Sequence, residues 1–99
     1  MTPELAARLA AYRIELVTEA KEYTLVAREN CFAMLHLGER SVPGIGSAGM
    51  ITDHGLTYLV WREGEPRLVG KRSNVAAGPQ AVEAIRRFAE DLKEAVAGS

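Results

Sequence analysis

Between Leu56 and Trp61 apolar side chains follow one another with hardly a break: Leu56-Thr57-Tyr58-Leu59-Val60-Trp61. Side chains alternate across a strand, so Leu56, Tyr58 and Val60 point one way. Leu59 and Trp61, with the methyl of Thr57, point the other. A strand with one wet face alternates apolar with polar. This run does not, so the pattern predicts a central strand whose sheet is covered, or used, on both sides.

The rest of the chain divides into helical and extended patterns around that strand. Thr2-Pro3-Glu4 is a good helix start, with a capping hydroxyl, a proline at the first position and an acid near the positive end of the dipole. Leu5, Leu9, Tyr12, Leu16 and Ala20 then share a stripe at helical spacing. Ile14 falls opposite it. The favoured reading is one long helix running on into Glu19-Ala20-Lys21-Glu22. Its alternative is a short helix to Ala11 followed by a strand from Tyr12 to Thr18. Tyr23 to Arg28 and Cys31 to Leu37 read as two strands joined at Glu29-Asn30, where Asn30 tolerates the left-handed conformation of a tight turn. Gly38 to Gly49, rich in glycine and containing Pro43, reads as a long loop. Its Pro43 to Gly49 stretch is expected to be the most mobile internal segment.

Met50 to Thr52 resumes an extended pattern. Asp53-His54-Gly55 predicts a three-residue hairpin loop with Gly55 at positive φ, Leu56 to Arg62 comes next, and Glu63 to Pro66 turns the chain into Arg67 to Lys71. Ser73 to Gly78 reads as a connector. Pro79 opens a last helix, in which Val82, Ile85, Ala89, Leu92 and Val96 form a seam with Phe88 beside it. Glu83 and Arg87, and Arg86 and Glu90, are opposite charges four apart on its flanks. Together these elements predict an α+β domain over residues 1–99, with an antiparallel sheet of four to five strands (hairpin plus meander) flanked by N- and C-terminal helices.

Charge and composition narrow the classes of function. A formal net charge of -1 argues against a dedicated nucleic-acid binder, whose affinity rests on a basic face. No apolar run approaches the roughly 20 residues of a spanning helix, so no membrane role is expected. The one cysteine, Cys31, cannot form an internal disulfide, and neither a secreted scaffold nor a signal peptide is expected. A cytoplasmic location follows by default.

Candidate chemistry is sparse. Gly44-Ile45-Gly46-Ser47-Ala48-Gly49 matches G-x-G-x-x-G, but no helix can follow it before the Asp53-His54-Gly55 turn, so it does not read as a dinucleotide site. Cys31 and His36 are five apart on a strand and face opposite ways, so they do not chelate a metal together, and Asp53 and His54 are explained by turn chemistry. Neither Cys31 nor Ser47 has a catalytic frame around it. Arg67, Lys71 and Arg72 read as charges protecting an edge strand, or as a docking patch for an acidic partner. No catalytic residue, metal or cofactor is therefore expected. The expected function is that of a small interaction module, working as a homodimer or with a protein partner by burying the spare sheet face or the terminal-helix seam. The competing expectation is a small-molecule-binding domain or minor enzyme, with a pocket for an apolar ligand between the sheet and the loop 43–49. Trp61, Tyr58, Leu59, Gly44 and Gly46 are the candidate binding residues in either case.

Overall fold

The structure, a computed structural model, describes residues 2–21, 23–36 and 44–97. It confirms an α+β fold with an antiparallel sheet and a helix at each end, but among the described residues the sheet has seven strands rather than four to five. Each strand pairs with the next in sequence, so the sheet is one continuous meander.

Helix α1 spans Pro3–Ala11, with Thr2 Oγ1 accepting a hydrogen bond from the Leu5 amide at 3.2 Å. It stops where the long-helix reading continues. Arg13 takes φ 60°, the Arg13 amide donates to the Ala10 carbonyl, and the Ile14 amide donates to the Leu9 carbonyl. That is a Schellman cap, closed by buried Ile14 against buried Leu9. The apolar position that spoils the helical stripe is therefore the one that ends the helix. Strand β1, Glu15–Glu19, comes next, so the short-helix alternative is the correct one, with its strand beginning three residues later than Tyr12.

Strands β2, Thr24–Arg28, and β3, Cys31–His36, form the expected hairpin, but the left-handed residue of its turn is Glu29, at φ 55°, and not Asn30. Strand β4 spans Gly44–Thr52 and overturns the loop reading for residues 44–49. Its glycines give it little strand propensity; pairing with β3 along its length, and with β5 from Gly49 onward, supplies what local preference lacks. The remainder of the expected loop, residues 38–43, lies outside the described residues, as does Leu37 at the end of the expected second strand. Strand β5, Gly55–Arg62, begins at a Gly55 with φ 93°, as expected for that hairpin. Strand β6, Glu65–Val69, starts two residues before the sequence suggests, and the expected connector contains a further strand, β7, Asn74–Ala76. The strand carrying Arg67 is therefore paired on both sides and is not an edge.

Helix α2 spans Pro79–Ala97 and buries Ile85, Phe88, Leu92, Ala95 and Val96. The seam is thus consumed within the chain and is not left for a second copy. On the solvated flank Glu83 accepts two bonds from Arg86 and one from Arg87, and these bonds hold its carboxyl down at about 2. Helix α2 packs on β3, β4 and α1, and α1 packs on β1. The Arg8 guanidinium donates to the Ala95 carbonyl at 2.8 Å, tying the helices together. The core beneath them comprises Val26, Cys31, Ala33, Leu35 and Leu68 from the sheet, with Ala48, Met50 and Leu59 at its margin. By strand alternation and register all eight lie on one face. Both helices therefore cover the same side of the sheet.

Candidate interaction surface

Among the described residues the other side carries no helix. Cross-strand partners share a face, so the register Ala27–Phe32–Gly49–Tyr58–Val69 draws one row across five strands on the helix-free side. Two residues along each strand lie Leu25, Met34 and Val60 on one flank, and Ile51 and Leu56 on the other. Phe32 is 0 % exposed although no helix covers it. Its ring stands edge-on to Tyr58, with centroids 5.3 Å apart. Phe32 and Tyr58 sit two strands apart, about 9.6 Å in a flat sheet. They meet because Gly49 between them has no side chain. A Cβ on Gly49 would lie 1.9 Å from the Thr57 carbonyl oxygen, so the backbone of β4 also approaches β5 too closely for any other residue.

Around this aromatic pair the face opens to solvent. Ile51 and Leu56 are each 37 % exposed, and Leu25, Met34, Tyr58, Val60 and Val69 are half-buried. Among the described residues the charged side chains in these middle rows are Glu15, at the β1 edge opposite Ala27, and Arg67 on β6, whose Nε donates to Asn74 Oδ1 at 2.6 Å.

The five residues singled out from the sequence do not form one site. Tyr58 lies at the centre of the helix-free face. Leu59 points to the opposite side, packed against the core. Trp61 shares the side of Leu59 but is 61 % exposed, because α2 packs on β3 and β4 and does not extend over it. Gly44 and Gly46 belong to β4; a Cβ on Gly46 would lie 3.1 Å from His36 Nε2 and 3.2 Å from the Met34 carbonyl. With 44–49 in the sheet, those residues do not arch over it to enclose a pocket. Leu25, Met34, Ile51 and Val69 are the surface residues the sequence reading missed. Their signal was present, since Thr24 to Arg28 and Cys31 to Leu35 are, like β5, apolar at both parities.

An open groove of about 1080 Å³ runs between the first half of α2 and the β2–β3 turn. Arg13, Arg28, Glu29, Cys31, Glu83 and Asp91 are among its lining residues. Arg28 spans its floor, donating to Asp91 at 2.8 Å and to the Tyr12 carbonyl at 3.1 Å, with its guanidinium 5.7 Å from the centre of the Phe88 ring. Those bonds tie α2 to β2 and to the α1 cap. Burial pushes the Cys31 thiol up, which opposes the thiolate a nucleophile needs. Among the described residues no three His, Cys, Asp or Glu side chains are grouped to hold a metal ion, and no described helix is long and apolar enough to cross a membrane. The Arg28–Asp91 and Glu83–Arg87 ion pairs line the groove, and the helix-free face is the one broad apolar surface shown by the described residues. No protein-family model, curated protein or solved structure matches the chain significantly.

Proposed function

We propose that the chain is an interaction module and that a second copy of itself covers the helix-free face. The observation that carries this reading is that both helices pack on one side of the sheet, while Leu25, Met34, Ile51, Leu56, Tyr58, Val60 and Val69 lie on the other. An apolar area of this kind on a soluble chain marks a contact site. The five strands β2–β6 that carry these side chains, at about 4.8 Å each and five residues at about 3.3 Å, give a footprint on the order of 400 Å² per copy. Two copies then bury roughly 800 Å², the size of a weak, reversible contact. Sheets stacked face to face about 10 Å apart interdigitate such side chains, and one self-complementary patch serves both copies of a symmetric pair.

The test is the sedimentation mass of the parent and of Leu56→Glu and Ile51→Glu. Both residues are exposed in the single chain, so neither charge is placed in its core. The parent is expected to be at least dimeric at high micromolar concentration, and each variant to lose that contact. A parent that stays monomeric, or variants that keep the parental mass, would overturn the reading.

A further inference from the structure

The sheet has two open edges among the described residues, β1 and β7, and they differ in how they meet a second chain. Strand β1 reads Glu-Leu-Val-Thr-Glu. Antiparallel pairing with its own copy about Val17 sets Glu15 opposite Glu19 of the copy, a like-charge pair. Its register also shifts between Leu16 and Thr18, a bulge that disturbs the row of outward hydrogen-bonding groups. Strand β7, Asn-Val-Ala, has neither device. It carries no charge, its register on β6 is regular, and Val75 is 50 % exposed.

The hydrogen bonds of β7 show which groups are available. The Gly70 amide donates to the Ser73 carbonyl at 2.8 Å, and the Ala77 amide to the Pro66 carbonyl at 3.0 Å. In an antiparallel ladder such pairs alternate. With Leu68 opposite Val75, the groups of Val75 turn inward to β6, and those of Asn74 and Ala76 turn outward. The Asn74 carbonyl already accepts from Arg67 Nη2 at 3.1 Å and has a second lone pair for another donor.

We propose that β7 pairs antiparallel with β7 of a second copy, about a two-fold axis through Val75. Asn74 and Ala76 of one copy then exchange both backbone hydrogen bonds with Ala76 and Asn74 of the other. Val75 meets its counterpart in a non-hydrogen-bonded pair, at the shorter Cα spacing of about 4.5 Å. No charged residue lies within the paired segment 74–76, so no like charges oppose each other in it. The two sheets become one, and the axis, normal to the sheet, brings both helix-free faces to the same side. The contact uses a surface separate from that of the proposed face-to-face pair, and the two together build a closed tetramer of dihedral symmetry. Being only three residues long, the edge contact is weak alone and gains from the high effective concentration that the face contact supplies.

Sedimentation mass at high micromolar concentration tests it with Val75→Lys, which places a charge on the axis, and Ala76→Pro, which removes an outward amide and no bond within the chain. Each is expected to halve the parental mass. Val17→Lys on β1 is expected to leave it unchanged, and the parent's Asn74 and Ala76 amides to exchange slowly in a manner lost on dilution. Unfolding midpoints near the parent's identify the variants as folded. Parental mass in both β7 variants, or a monomeric parent, would overturn the edge contact. Loss of mass in Leu56→Glu alone leaves the face contact standing without the edge. Loss in the β7 variants alone leaves the edge standing without the face.

Discussion

Among the described residues, three other than glycine hold positive φ: Arg13 at 60°, Glu29 at 55° and Glu63 at 53°. Each lies where the chain reverses or a helix ends, and each is a charged residue with no special liking for that region. The sequence flagged Gly55 correctly because glycine advertises such a position. It placed the left-handed residue of the first hairpin at Asn30 for the same reason, and the structure puts it at Glu29. Glu63 and Gly64, at φ 53° and 79°, form a two-residue turn between the paired Arg62 and Glu65, with both central residues left-handed. That turn prefers asparagine before glycine. Glu63→Asn is expected to raise stability by about 0.5–1 kcal/mol, read as a higher denaturant midpoint with an unchanged slope.

At the scale of elements, α2 was the most legible part of the chain. Its seam repeats over 19 residues, Pro79 marks its first position, and the flanking pairs Glu83–Arg87 and Arg86–Glu90 form as their spacing requires. Leu92 is fully buried in that seam, and Leu92→Ala is expected to cost about 2–5 kcal/mol, with the cavity included, in an equilibrium unfolding experiment. Strand β4 was the least legible. Glycine, serine and alanine at its start have weak strand preference, and pairing with β3 holds that start extended, with β5 joining from Gly49 onward. Helix α1 lies between these cases. Its cap at Thr2 was readable, but its end depends on Ile14, beyond the last helical turn, dropping into the core beside Leu9.

For the molecule as a whole, the deciding fact is that α1 and α2 share one side of the sheet. Seven strands span about 29 Å between outer strands, and two helices packed about 10 Å apart cover some 20 Å of it. Trp61 and Val75 therefore stand exposed even on the helix-bearing side, at the β5–β7 end. The opposite side supports itself through Phe32, sealed by Tyr58 leaning across Gly49. Phe32→Ala is expected to cost about 3–5 kcal/mol, as a core residue does, although no helix covers it. An unfolding midpoint equal to the parent's would mean that the helix-free face contributes no core of its own.

By itself the sequence determined what local chemistry can specify: two terminal helices with their start signals, the hairpin and meander, the glycine of the Asp53-His54-Gly55 turn, and a central strand apolar on both sides. The unbroken run from Leu56 to Trp61 already implied that some apolar surface would be left over. Tertiary structure alone decided that both helices cover one face, which leaves Tyr58 half-buried and Leu56 exposed and buries the methyl side of Thr57. It also decided that residues 44–49 and 74–76 are strands, since backbone pairing with neighbours holds segments extended that would not choose that state alone. Periodicity says which positions of an element share a face. Which face another element covers is decided only when the elements dock.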